Sequence, residues 1–373
     1  MILTLKIIQD PAMLEGLQGP WEALERQVGS GPFTSYALFR AWWDCLGRKS
    51  GYQPHFVTAW QDDVLVGLLP LMVRKRMGVR ILGWAGANYF DYNAALVARA
   101  GIVDALWDEV YNAKSYDFAI ITDIRPNLAD HAALKSFSLI ARAHTSYIFQ
   151  NSWENAAVWQ KSLSHKHRRN MRVKLQNLQA QGPVRFVLQR QGEVSGEAID
   201  TMLAQKKAWS YHHNKNSSFM TEDSARLFHA MVQHKASRGE LLLVQLLCKG
   251  QLLASFVGFV HHNKVYYYFT AHDIHWQKFS PGTVLTEYAL GWLIDEHLDA
   301  CDFMCGEESY KKRHANGSQS LISYLFAKSL TGRASLFLYL GLHDGRNILH
   351  AFYKRLPLRL QIKIFALYRR LRQ

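Results

Sequence analysis

The chain has 373 residues, of which 49% are hydrophobic and 13% aromatic, and a formal net charge of +14. That length and apolar content suit two domains with sizeable cores and exclude a disordered chain, while the charge points to a polyanionic partner such as a nucleotide carrier, RNA, an acidic glycan or an anionic membrane surface. No run of 18 uncharged apolar residues occurs, and residues 1–10 lack the basic start and long apolar core of a secretory signal, so the expectation is a cytoplasmic protein, attached at most to a membrane surface.

In chain order, Trp21–Val28 and Tyr36–Leu46 read as helices. His55–Trp60, the turn Gln61-Asp62-Asp63 and Val64–Val73 read as a hairpin, followed by a strand over Val79–Trp84. Phe90-Asp91-Tyr92-Asn93 comes next, then a helix over Ile102–Ala113 and a strand over Asp117–Asp123. Pro126–Phe149 reads as a connection with strand-like residues near its end. From Trp159 to Gln181 the pattern predicts one strongly basic helix, crowded with Lys161, His165, Lys166, His167, Arg168, Arg169, Arg172 and Lys174. Its cationic face serves either as a solvated bridge or as a funnel for an anionic substrate. Further helices are predicted over Glu197–Ser210 and Ser224–Arg238.

The second half then repeats the strand order of the first. Leu241–Leu247, the turn Cys248-Lys249-Gly250-Gln251, Leu252–His262 and Val265–Thr270 read as three strands, the last carrying three consecutive tyrosines. Ser280-Pro281-Gly282-Thr283 punctuates the chain before a helix over Val284–His297 and a strand over Asp302–Cys305. This order predicts a structural duplication with units at 1–150 and 151–335. A distinct segment, 336–373, follows, whose residues 347–373 form a basic amphipathic pattern suited to packing on the second unit or lying on an anionic bilayer.

The Ser-Pro-Gly loop is the leading candidate for binding. Pro281 has no N–H, Gly282 permits close approach, and Ser280 or Thr283 can cap the helix, so exposed amides there form an anion seat with Lys278 nearby. The same tripeptide also reads as an ordinary helix start. The four cysteines, Cys45, Cys248, Cys301 and Cys305, show no metal-ligand spacing with histidines, so buried thiols are expected and no metal.

The pattern as a whole resembles the CelD/BcsL-type acyltransferases of the GNAT superfamily and their FemAB-like tandem relatives. The resemblance runs over most of residues 20–330. It rests on Trp42-Trp43, Val66-Gly67-Leu68-Leu69-Pro70-Leu71, Asp91-Tyr92, Lys166-His167-Arg168-Arg169-Asn170-Met171-Arg172, Ser280-Pro281-Gly282 and Gly306-Glu307-Glu308-Ser309-Tyr310-Lys311. Two departures stand out: the superfamily's glycine-rich pyrophosphate loop is reduced to Gln277-Lys278-Phe279-Ser280-Pro281-Gly282, and His314 replaces an expected aromatic residue.

The resemblance implies an α/β protein with mixed sheets, built as two tandem GNAT-like domains. It also implies acyl transfer from acetyl-CoA or another acyl-CoA to an amine or hydroxyl of a sugar or glycan precursor, in exopolysaccharide or cellulose production. The alternatives are an aminoacyl-tRNA donor, as in FemAB-like relatives, or a membrane-surface scaffold. For direct transfer, Glu307 is the preferred base, Tyr310 protonates the leaving thiolate or orients the acceptor, and Lys311 pairs with phosphate or polarises the carbonyl. Asp273 beside His272 is a second acid–base candidate. Asp91 and Tyr92, with Arg168 and Arg169, are candidates for substrate binding. Each acidic residue also has a plain role available at a turn or helix start.

Overall fold

The computed structural model describes residues 2–29, 31–76, 78–135, 139–214, 218–306, 308–327 and 329–343. The first half runs β1 (Leu3–Ile8), α1 (Gln18–Val28), α2 (Tyr36–Trp42), β2 (Tyr52–Gln61), β3 (Val64–Arg76), β4 (Val79–Trp84), the short β5 (Leu96–Val97), α3 (Val103–Asn112), β6 (Phe118–Ile124), α4 (Ala129–Lys135) and β7 (Leu139–Gln150). Two helices, α5 (Ala156–Ser162) and α6 (His165–Gln179), lead into the second half. There β8 (Val184–Gln189), α7 (Gly196–His212), α8 (Glu222–Ser237), β9 (Leu241–Cys248), β10 (Gln251–His261), β11 (Lys264–His272), α9 (Pro281–Asp295), β12 (Ala300–Cys305), α10 (Ser309–His314) and β13 (Gly317–Ala327) repeat the order, and α11 (Leu330–His343) follows.

The two halves form one continuous mixed sheet in the order β1-β2-β3-β4-β6-β13-β7-β12-β11-β10-β9-β8, with β5 on β3. Each half contributes an antiparallel meander and one parallel pair made across a helix, β4 with β6 across α3 and β11 with β12 across α9. The tight turns follow from local chemistry. Asp62-Asp63 and His262-Asn263 hold positive φ at both central positions, the conformation whose twist matches a two-residue hairpin. At the seam the last strands change sides: β13 lies between β6 and β7, and β7 pairs with β12 of the second half.

One face of the sheet carries a core shared by both halves, in which Trp21, Phe39 and Trp43 beneath α1 and α2 join Met202, Phe228 and Met231 of α7 and α8. The other face carries separate cores, one around Trp107 of α3 and one around Leu285, Leu290 and Ile294 of α9. Removing this apolar surface from water is the main driving term, and it ties the halves together mainly on the shared face, with β13 and β7 each adding residues to the other half's core on the opposite face.

Several elements depart from the sequence pattern. The basic helix predicted over Trp159–Gln181 is two helices, because Ser164 takes extended ψ and its side chain accepts from His167 N–H to begin α6. The connection predicted over residues 126–149 contains α4 and the central strand β7. The pattern does not announce β1, β8, β13 or α11; β13 opens with Gly-Ser-Gln-Ser and acquires its strand partners only from β6 and β7.

Candidate active site

β11 and β12 pair in parallel only over Lys264–Tyr266 and Ala300–Asp302, yet both strands continue, to His272 and Cys305. The divergence opens a wedge, and α9 begins at its mouth. A cavity of about 830 Å³ fills this place, walled by Tyr268–His272 of β11, Ser280–Thr283, and Ser309–Lys311 of α10. Lys206 and Trp209 of α7 close another side.

The helix start differs from the expected cap. No side chain caps α9; Ser280 instead adopts a left-handed φ of 54°, and its carbonyl accepts from Thr283 N–H (3.0 Å) and Val284 N–H (3.3 Å). Pro281 supplies no donor. Among the described residues, Gly282 therefore keeps the first-turn amide with no acceptor, so the anion seat narrows from several donors to this one plus the helix dipole. A Cβ at Gly282 would meet only His272 Nδ1, at 4.0 Å, so the space beside this residue is open. Thr286 fixes the turn by donating to Gly282 O at 2.9 Å while it contacts Tyr267 Oη at 2.9 Å.

Tyr310 and Lys311 line the same cavity. Tyr310 is bonded to the Thr270 side chain, and burial pushes its phenol well above the usual range, which keeps the proton on oxygen. Lys311 is buried, donates to Cys305 O at 2.7 Å and pairs with Glu308 at 3.0 Å. Gly306 is favoured here by its φ of 130°, which L side chains rarely adopt, and a Cβ would also force the Glu308 carboxylate and the Lys311 ammonium to shift. Glu307, the preferred base, lies outside the described residues.

Asp91 and Tyr92 reach this corner from the first half. The Asp91 carboxyl accepts from Cys305 N–H, and burial, then the charges of Asp123 and Asp302, raise it to about 7 against the pull of Lys311. Tyr92 donates to Asp302 Oδ1 at 2.6 Å, where Ser146 and Met304 N–H also donate. Tyr268 Oη donates to Tyr89 O at 2.6 Å, so the loop after β4 is pinned to the cavity wall.

Other candidates are placed elsewhere. Asp273 caps the short helix Ile274–Phe279, accepting from His275 N–H and the Gln251 amide, both at 2.9 Å, while its neighbour His272 lines the cavity. Lys278 is exposed, with its ammonium 4.9 Å from the Phe279 ring centroid. Arg168 donates to Lys161 O at 2.7 Å and lines a second cavity of about 600 Å³ along Val284, Glu287 and Tyr288 of α9. Arg169 is exposed.

Residues that no spacing announced complete the surroundings. Burial lowers the Lys206 ammonium, which lies 5.1 Å from the Trp209 ring centroid. Asp123 at the end of β6, with φ 59°, faces His144 of β7 at 3.0 Å. Burial, then Asp123 and Asp91, push the Cys305 thiol up to about 12.

Residues 165–312 match the family model described as an acetyltransferase (GNAT) domain. No curated protein matches the chain. Among solved structures, FemX superposes with a TM-score of 0.56 at 11% identity, covering 82% of this chain and 96% of FemX. The C-terminal domain of a putative lysylphosphatidylglycerol synthetase from Agrobacterium fabrum gives 0.52 at 12% identity, covering 88% of this chain and 97% of that domain. A conserved protein of unknown function from Bacteroides thetaiotaomicron gives 0.50 at 13% identity, covering 87% and 100%. These likenesses establish the fold. The matched domain runs from α6 into α10 and so covers the wedge, the α9 start and the cavity between them: the protein carries an acetyltransferase domain of the GNAT type over residues 165–312 and is an acyltransferase.

Proposed function

We propose that the cavity takes an acyl-CoA, acetyl-CoA being the simplest, and that the acyl group passes directly to an amine or hydroxyl of a sugar or polysaccharide precursor, as in the CelD/BcsL-type enzymes of cellulose and exopolysaccharide production. The carrying observation is that one cavity joins the Gly282 amide, the diverging strands, and the side chains of Tyr310 and Lys311. The pyrophosphate rests at the Gly282 N–H and the positive end of α9, with Lys206 as the nearby cation. The thioester lies in the wedge, where main-chain N–H groups of β11 beyond Tyr266 stabilise the oxyanion.

The acceptor enters from the first half beside Asp91. Its carboxylate, raised to about 7, takes the acceptor's proton as the new C–N or C–O bond forms. The C–S bond then breaks, and Tyr310 gives its proton to the departing thiolate before recovering one from solvent. Lys311 sets the local field and holds the turn at Gly306. Glu307 keeps its place as a second candidate base.

We assign the units 1–150 and 151–335 to acceptor and donor respectively and place the protein in the cytoplasm, with the basic residues 347–373 of the last segment, which lie outside the described residues, at the inner membrane surface. No described helix is long and apolar enough to cross a membrane. Calorimetry with CoA and acetyl-CoA, paired with amide exchange over 280–283, tests the reading. Saturable binding with protection of those amides is expected. No binding, together with steeply salt-dependent RNA binding, would overturn it in favour of the aminoacyl-tRNA donor.

A further inference from the structure

Asp123, His144 and Cys305 come from β6, β7 and β12, yet one ligand atom of each lies within 4.8 Å of the other two. His144 Nδ1 is 3.0 Å from Asp123 Oδ1, and Cys305 Sγ is 4.0 Å from the same oxygen. All three are half-buried. We infer that this trio is a three-ligand site for a zinc-class transition ion.

Imidazole nitrogen, thiolate sulfur and carboxylate oxygen are the donors zinc takes, at about 2.0–2.3 Å, and sites with three protein ligands leave a fourth position open. Ligands at such bond lengths stand roughly 3–4 Å apart around a tetrahedral ion, so the separations here need only a small closure. The ion enters as Cys305 releases its proton to solvent, with no other reactant required.

Further acidic side chains stand beside the trio. Asp91 accepts from Cys305 N–H, and both Asp123 and Asp302 bear electrostatically on Asp91. Among the described residues, Lys311 is held by Glu308 and Cys305 O, and the Arg125 guanidinium lies over the Tyr92 ring at 5.4 Å. The left-handed turns at Asp123 and at Met304, before Cys305, are the points where β6 and β12 leave regular pairing, so the exchanged strands assemble the site. Cys305 also lines the 830 Å³ cavity, which puts the ion at its wall.

The test uses the full chain, with metal content by mass spectrometry after zinc loading and titration with cobalt(II) as the spectroscopic probe. One equivalent is expected, with a thiolate-to-cobalt charge-transfer band that zinc abolishes by displacement. Cys305→Ser should remove the band, His144→Gln and Asp123→Asn should each weaken binding more than about tenfold, since loss of an outer-shell partner alone costs that much, and Cys45→Ser should change nothing. Sub-stoichiometric binding, absence of the band, or a band that survives Cys305→Ser overturns the inference and leaves Asp123 and His144 as a hydrogen-bonded pair. Circular dichroism of each variant separates lost ligation from lost folding, and no readout depends on acyl-CoA binding.

Discussion

Substituting Gly282 separates binding from stability more sharply than any other change. The residue sits at the second position of α9 after Pro281, with a φ outside the left-handed region, and an added methyl makes only an ordinary contact with His272. Gly282→Ala should therefore stabilise the fold by about 0.5–1 kcal/mol, because alanine loses less backbone entropy in a helix. In a chain of this size that raises the melting temperature by about one to two degrees. The same methyl adds bulk beside the amide proposed to meet phosphate. A hydrogen bond to a charged group contributes about 1.5–3 kcal/mol, so weakening it lowers CoA affinity by roughly 10- to 100-fold. Gly282→Leu, whose side chain enters the cavity, should abolish binding while the melting temperature holds. Calorimetry and differential scanning calorimetry on the three proteins read both quantities. Undiminished CoA affinity in Gly282→Leu would refute the placement of the donor, and a destabilised Gly282→Ala would refute the packing argument.

Two further outcomes follow from buried polar groups. Tyr92→Phe removes the 2.6 Å donor to Asp302 at the seam between the halves and should cost about 1–3 kcal/mol, seen as a lower denaturant midpoint with an unchanged slope. The Glu25 carboxyl, on α1, accepts from Tyr36 N–H but is raised to about 7, mainly by burial. Because its pKa is higher folded than unfolded, the protonated form favours the native state. Its contribution is complete below about pH 4.5 and is lost as pH rises through about 7, a swing of about 2 kcal/mol after allowance for partial solvent contact. Glu25→Gln should flatten that loss between pH 5 and 8 in urea titrations, and an unchanged profile would sink the assignment.

Much of the fold was legible because its signals are local. The hairpins around Asp62-Asp63 and Cys248–Gln251, the aromatic strand at Tyr266–Tyr268 and the Pro281 helix start each rest on residues adjacent in sequence, where alternation and turn chemistry act directly. The repeated order of strands was readable for the same reason. From it, Ser280–Thr283, Tyr310 and Lys311 could be picked out, and the fold brings them to one cavity.

Tertiary structure decided the rest. Whether Asp273 meets substrate or caps a turn depends on the path of the next six residues, and whether Arg168 faces the donor cavity depends on the side of α9 against which α6 packs. The exchange of β7 and β13 left no mark on the sequence, since strands pair through main-chain groups that every residue carries. That exchange places Asp123, His144 and Cys305, residues 21 and 161 positions apart along the chain, with ligand atoms within 4.8 Å of one another, and Asp91 beside them. Sequence alone fixed which segments become helices and strands around the donor site, through local propensity and periodicity. The meeting of the two halves, and with it the acceptor side, came from pairing and burial between segments far apart in the chain, which no local pattern encodes.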